Sequence, residues 1–473
     1  MVEAKKISEN IYEIPKEGKM NVPGRIFASE DLFEKIAEDL TFEQIKNVAK
    51  LPGIIGYSIA MMDAHQGYGA PVGGVVAFDA QKGIVSPGVI GFDINCGIRL
   101  LISNMDKNNF MKKRKELLKD IYKSIPSGVG VKSEIRINSK EIENVLENGV
   151  DWAIENGYGT VKDKEYCEDS GKINGANSKK VSAKARGRGM NQLGSLGAGN
   201  HFLEIQEVEE IYDKKTAKVF GINHVGQITV MIHSGSRGLG HQVASDYMQL
   251  MEKEYGFKHL PDRQLAYAPI DSPLGKDYLS AMACAANFGF ANRHLIMHQV
   301  RESFKKYFPD VKLNLVYDVA HNIAKFEEYE VNGKKKMLCV HRKGATRSFG
   351  PGRLEIPLKY RKTGSPIFIP GSMGTYSYVL VGTKKAEELT FGSTAHGAGR
   401  ILSRSEAART ITPAQLGKEL HDKDIILESG SFKGAVDEAP SAYKDVNEVV
   451  RVSDALGIGK MVARLKPLGV VKG

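Results

Sequence analysis

The chain has 473 residues, long enough for two or three ordinary domains or one large one, and it can bury a substantial core. Lys and Arg outnumber Asp and Glu by 66 to 56, and the net charge of +10 favours a polyanionic partner. No apolar run approaches the roughly 18 residues needed to span a bilayer, and the opening "MVEAKKISENIYEIP" lacks the apolar stretch of a secretory signal. These features argue against a membrane protein and predict a cytoplasmic one. Four cysteines with no Cys-x-x-Cys pair argue equally against a disulfide framework and a four-thiolate zinc site.

In chain order, a helical pattern covers 29–50, where Thr41 and Gln44 have capping-box spacing. "GGVVAFD" (73–79) reads as a strand, and helices are expected at 107–124 and 139–156. Residues 160–190 are polar and dotted with glycine, which predicts a mobile surface loop or insertion. Strands follow in "HFLEIQEV" (201–208) and "QITVMIH" (227–233), then a helix at 275–308, then strands in "KLNLVYDVAH" (312–321) and "SYVLVG" (377–382). With no internal repeat and no long linker, this mixture predicts α+β architecture in one continuous domain, 1–473.

Glycine is abundant, 50 residues or about 11 % against an average near 7 %. The excess collects in "DAHQGYGAPVGG", "GFDINCG", "GSLGAGNHF", "HSGSRGLGH", "PGSMG" and "HGAGR". Such loops are either tight turns or places where the main chain approaches a phosphate or metal. Of twelve histidines, His65, His201, His233, His241, His321 and His396 stand in or beside these segments. His233 and His321 each stand where an apolar strand gives way to a loop, a position from which ligands are commonly presented. Together with Asp93 and Cys96 they predict a metal site. A thiolate at Cys96 has lone pairs enough to touch two ions, and the alternative is a small buried apolar residue. Each ion of a two-metal site would then keep open positions for phosphate oxygens or water.

"GFDINCG", "GSLGAGNHFLE", "HSGSRG", "VAHN", "PGSMG" and "STAHGAGR", in this order, resemble the RtcB family of RNA-splicing ligases, over nearly the whole chain. The resemblance implies a single α+β unit with central mixed or antiparallel sheets surrounded by helices. It also implies an activity: joining a 2′,3′-cyclic phosphate or 3′-phosphate RNA end to a 5′-hydroxyl end, with GTP and two Mn2+ ions. Carried over by position, Asp93, Cys96 and His201 would hold one ion, and Cys96, His233 and His321 the other. His396 would attack the α-phosphate of GTP and become guanylylated. Asn200, His201, Phe202, Leu203, Glu204, His321, Asn322, Pro370, Gly371, Ser372, Met373, Ser377, His396, Gly397, Ala398, Gly399, Tyr443 and Lys472 would form the nucleotide site. Arg237 and Arg400 would lie near RNA phosphates. The implied RNA is a pair of tRNA halves or a broken RNA, with an archease-type activator as a further partner.

Each role has its own physics. An imidazole attacks phosphorus and forms a high-energy product from which the group is easily passed on. Glu204 could accept hydrogen bonds from guanine N1–H and its amine, or be an ordinary strand glutamate facing solvent. A thiolate with three imidazoles ranks zinc, cobalt or nickel above manganese on affinity alone. Competing signals are weaker. "KING" at 172–175 resembles the lysine motif of ATP-dependent ligases but stands without companions. His294 and His298, four apart on a helix, read as packing or surface histidines. The basic stretches 179–188, 341–347 and 359–362 could follow an RNA backbone or be solvated loops. The alternatives to ligation are a dinuclear metal-dependent phosphoesterase without a covalent intermediate, and an RNA-binding protein without catalysis.

Overall fold

Strand Gln227–Ser234 is buried at every position, and Gly97–Asp106 nearly so. Apolar runs without alternation belong to strands covered on both faces. They form the middle of an eight-stranded sheet in the computed structural model, which describes residues 4–430 and 432–473. The order is Leu313–Ala320, Gly97–Asp106, Gln227–Ser234, Phe202–Ile211, Lys460–Lys472, Ser377–Val381 and Pro366–Ile369. Ile426–Ser429 adds a parallel pairing to the end of Lys460–Lys472.

A seven-stranded sheet lies beside it, ordered Lys5–Ser8, Ile11–Ile14, Gly24–Phe27, Ile54–His65, Val72–Asp79, Lys334–Lys343 and Asn322–Val331. Its pairings are antiparallel except that of Gly24–Phe27 with Ile54–His65. The chain passes from one sheet to the other through a single residue. Leu313–Ala320 ends the first, Asn322–Val331 begins the edge of the second, and His321 stands between them.

A 35-residue helix, Pro273–Tyr307, packs against the first sheet. Pro273 occupies its first turn, and the Ser272 side chain accepts from the Gly275 amide at 3.0 Å. Small residues in "AMACAANFGFAN" let it approach closely, and its central third is buried all round. Among the described residues, no helix is long and apolar enough to cross a membrane.

The expected helices and strands are present, with three helical stretches broken in two. Glu30–Ala37 and Thr41–Ala49 replace 29–50, and Gly149, at φ +56, separates Ser139–Asn148 from Val150–Glu155. The stretch 107–124 breaks after Met111. The capping box does not form. Asp39 Oδ1 accepts from the Thr41 amide at 2.7 Å, and Gln44 reaches instead to Gly67.

Residues 160–190 depart furthest from expectation. They carry helices Val161–Glu165 and Ala183–Met190, and Cys167 and Glu168 are buried. Glu168 pairs with Lys325 at 2.7 Å and accepts from the Ala320 amide at 2.7 Å, so the segment is built into the core. A polar sequence misled here because its charges are compensated by buried partners from distant strands.

Candidate active site where strand ends align

The antiparallel register brings four strand ends to one edge of the first sheet. Gly97 pairs with both Ser234 and Ala320, and Phe202 with His233. Cys96, His233, His201 and His321 are therefore the residues at or next to those ends. The turn before Gly97 is tight. Asn95 takes φ 55, a left-handed conformation asparagine tolerates, and the Cys96 amide donates to Asp93 O at 2.9 Å. Gly235 lies against Asp93, where a β-carbon would stand 2.7 Å from the carboxyl carbon.

Cys96 Sγ stands 3.4 Å from His201 Nε2 and 3.3 Å from His233 Nε2. His233 Nε2 stands 3.4 Å from His321 Nε2, and His201 Nε2 is 2.9 Å from Asp93 Oδ2. Two ligand groups result, Asp93–Cys96–His201 and Cys96–His233–His321, each with donor atoms within 4.8 Å of one another. Cys96 belongs to both.

The chemistry of these atoms fits cations. His201 Nδ1 donates to Leu196 O at 3.1 Å, which leaves the Nε2 lone pair pointing inward. Burial pushes His233 and His321 well below the usual imidazole value, so both rings are neutral. Their Nδ1 atoms are buried without a hydrogen-bond partner. Burial opposes charge on Asp93, yet the contact with His201 and the charge of Arg237 hold its carboxyl below the ordinary range. Burial and Asp93 push the Cys96 thiol well up. A bound cation would reverse that preference and release the proton. The buried sulfur thus packs among imidazoles and a carboxylate, in place of the aliphatic surroundings its alternative reading required.

His396 stands beside the cluster, its ring centroid 4.9 Å from that of His321. The short ladder Ala345–Arg347 with Ser393–Ala395 delivers it there. Asp63, near the end of Ile54–His65, fixes the ring. Its Oδ2 accepts from His396 Nδ1 at 2.7 Å, from the His396 amide at 3.0 Å and from the Gly397 amide at 3.3 Å. Burial raises the Asp63 carboxyl, but the charge and hydrogen bonds of His396, with Lys444, outweigh it and hold it low. Nε2 of His396 is left free to act. Sequence reading passed over Asp63, although it opens the quoted "DAHQ" segment at a strand end.

Several of the residues expected for a nucleotide lie in loops tied together next to this imidazole. The Ala398 amide donates to Pro370 O at 3.1 Å, and the Lys444 amide to Gly399 O at 2.9 Å. The Ser372 amide donates to Thr375 Oγ1 at 2.8 Å, closing the loop that contains Gly371 and the buried Met373. Asn322 joins two loops, donating to Asp93 O at 3.1 Å and accepting from the Gly344 amide at 2.7 Å. Phe202 packs edge-on against His233. Leu203 faces the opposite side of the sheet, in a separate apolar cluster, so only its backbone is near. Asn200 lies half-buried in the loop before it.

Glu204 is 1 % exposed, which removes the solvent-facing reading. Gln206 Nε2 donates to it at 2.8 Å and to Ser377 Oγ at 3.0 Å. Burial pushes the Glu204 carboxyl up to about 8, partly offset by Gln206 and Lys472. Lys472 Nζ donates to Gly199 O at 2.5 Å and to His201 O at 3.3 Å, and its charge acts on both Glu204 and Glu438. Tyr443 donates to Glu438.

The two arginines differ. Among the described residues, Arg237, at φ 55, makes only long bonds, 3.4 Å to Ser195 Oγ and 3.4 Å to Gly128 O. Arg400 directs its donors inward, to Leu402 O, Glu438, Tyr443 Oη and Asp437 O. Within 341–347, His341, Arg342, Lys343 and Arg347 are buried, so this stretch is neither a solvated loop nor a surface for an RNA backbone. Lys172 bonds Asn148 at 2.9 Å, and His294 bonds Arg99 and Tyr158 O. His65 is hydrogen-bonded to Asp63 O, and His241 stacks on Phe92, so neither joins the ligand groups.

A buried set of lone pairs fit for two cations, beside an imidazole held by a carboxylate, has the makeup of a metal-dependent group-transfer enzyme. The family profile described as "tRNA-splicing ligase RtcB" matches residues 44–473. A tRNA-splicing ligase RtcB of Nanoarchaeum equitans is 51 % identical over 476 residues, covering 100 % of both chains. That of Thermococcus kodakarensis is 50 % identical over 481 residues, covering 100 % of this chain and 99 % of its own. That of Pyrobaculum aerophilum is 52 % identical over 478 residues, covering 99 % of each. The chain belongs to the RtcB family and is an RNA ligase.

Proposed function

We propose that this ligase joins a 2′,3′-cyclic phosphate or 3′-phosphate RNA end to a 5′-hydroxyl end, with GTP and Mn2+, in tRNA splicing or RNA repair in the cytoplasm. The observation that carries the proposal is the Asp63–His396 pair at 2.7 Å, set against the metal-ligand cluster. Asp93, Cys96 and His201 would hold one ion, and Cys96, His233 and His321 the other. When bound, two cations supply charge neutralisation at phosphate oxygens.

The chain's own groups account for the rest. His396 Nε2 attacks the α-phosphorus of GTP, a P–N bond forms, and the bond to the β-phosphate oxygen breaks to release pyrophosphate. The ring becomes cationic, keeping its Nδ1 proton, and the Asp63 carboxylate stabilises it by accepting the hydrogen bond from Nδ1–H. A 2′,3′-cyclic end is first opened by water, which breaks the P–O2′ bond and leaves a 3′-phosphate; an oxygen of the RNA 3′-phosphate then displaces the imidazole, regenerating neutral His396. The 5′-hydroxyl oxygen finally attacks the 3′-phosphate and GMP leaves, with the hydroxyl proton passing to solvent or a base.

Glu204, as a carboxylate, would accept from guanine N1–H and its amine, a pair of donors that adenine lacks. Arg237, whose bonds within the protein are long, is the arginine suited to an RNA phosphate. Arg400 would act indirectly, by holding Glu438 and Tyr443 in place. The substrates are tRNA halves or broken RNA, and an archease-type protein is the expected activator.

Incubation with α-labelled GTP and Mn2+, followed by peptide mapping, tests the reading. Label is expected on His396, and His396→Ala should abolish it, with joining reduced at least about 10⁴-fold, while metal content stays at two ions. Sealing by His396→Ala would overturn the nucleophile assignment, and absence of label from the wild-type protein would favour the phosphoesterase reading.

A further inference from the structure

Three aromatic rings at the rim of the metal centre take no part in the roles above. Tyr68 is 65 % exposed. Phe92, immediately before the ligand Asp93, stacks on the exposed His241 with ring centroids 4.9 Å apart and planes at 29°. Tyr68 meets Phe92 edge-on, at 6.1 Å and 84°.

The Tyr68 ring is exposed, yet its loop is held firmly from beneath. Gln44 and Gly67 exchange hydrogen bonds of 2.6 and 3.0 Å. The buried Lys343 donates to Tyr68 O at 2.5 Å, to Ala70 O at 2.8 Å and to Gly88 O at 3.0 Å. Burying an ammonium is costly, and here three carbonyls compensate it to fix a segment whose side chain faces solvent. Solubility does not call for such an arrangement. Presentation of a ring to a ligand does.

Position and charge indicate the ligand. Asp93 and the exposed Arg188 both act electrostatically on His241, so this ring has the metal-side carboxylate and an arginine in its surroundings. Lys343 also adjoins Gly344, which Asn322 ties to Asp93. Aromatic faces beside cations, with a phosphate-handling centre at one end, suit a single-stranded nucleic acid, whose bases stack and whose phosphates seek arginine.

We infer that Tyr68, Phe92 and His241 form a ledge on which a base of one single-stranded RNA end stacks while its terminal group lies at the metal centre. This inference rests on the RNA-ligation reading and adds a base-holding subsite to it. Stacking on ring faces does not read base edges, so the ledge accepts any base.

Binding of fluorescein-labelled RNA oligonucleotides, one with a 5′-hydroxyl end and one with a 3′-phosphate end, is measured by anisotropy for the full chain, Tyr68→Ala, His241→Ala and Tyr68→Phe. The alanine variants should weaken binding of one of the two strands about tenfold, the loss expected for one stacked base, while Tyr68→Phe retains affinity. GTP labelling of His396 should be unchanged, which separates the ledge from the nucleotide chemistry. An oligonucleotide with an abasic residue at its end should bind wild type and variants alike.

Equal binding of both intact strands by wild type and alanine variants would overturn the inference. So would a loss that persists with the abasic strand, which would indicate a phosphate or protein contact instead. Absence of GTP labelling in the wild-type protein would overturn the ligation reading, while the anisotropy series would still decide the ledge.

Discussion

Two buried polar clusters lie back to back in this molecule and differ in how completely they are paired. In one, Asp318 accepts from Arg99 at 2.7 Å and from Arg293 at 2.9 Å, all three side chains being fully buried. Arg293 also donates to Asn95 O at 2.7 Å and to Ser234 O at 2.9 Å. Donors match acceptors there, so the cluster is complete as it stands. In the other, a thiol, three imidazole nitrogens and a carboxylate converge with lone pairs and almost no donors. The first is a scaffold and the second is a receptor. Their contact explains the precision of the receptor, because Arg293 grips the carbonyls next to Cys96 and His233. Composition alone does not separate the two, since both are buried and charged; the balance of donors against acceptors does.

The comparison can be broken on either side. Cys96→Ala should have the largest effect, since one sulfur serves both ligand groups: metal content measured by elemental analysis should fall from two ions, and joining should drop at least about 10⁴-fold. On the scaffold side, Arg293→Met should cost about 3–5 kcal/mol of stability in denaturant unfolding, because Asp318 loses a buried partner. Unaltered stability would mean that the pairing is dispensable. Asp63→Asn should slow guanylylation about 10²–10³-fold with metal content preserved, since the ring loses its orienting acceptor.

The smallest expected effect is a pH dependence. Glu204, raised to about 8, is protonated in the empty site at neutral pH, whereas two guanine donors require the carboxylate. With the proposed contact, guanine binding would expel a proton. GTP affinity should rise with pH by up to about tenfold per unit, level off above about 8, and lose its slope in Glu204→Gln.

Much of the site was legible because ligands at strand ends are marked twice, by an apolar run and by the glycines that follow it. His233 after "ITVMI" and His321 after "LVYDVA" carry both marks, and the two-sheet α+β fold follows from the same strands. Asp63 carries only the first mark strongly, and its role depends on a partner 333 positions away. Arg293 lies within a helical pattern that is otherwise small and apolar, and nothing local distinguishes a buried arginine from a surface one. Segment 160–190 was misread for the same reason, since Glu168 meets Lys325 and Arg347 only after the sheets have formed. What stays hidden from sequence is pairing across long separations, which neither periodicity nor turn chemistry records.

His321 is the single residue between the two sheets, and its ring faces Cys96 and His233 of the first sheet. An ion seated there would rivet the seam, tying the edge of one sheet to three strands of the other. Folding and metal loading would then share one equilibrium: the melting temperature should climb with free metal concentration, and chelation should loosen the whole body along with the site.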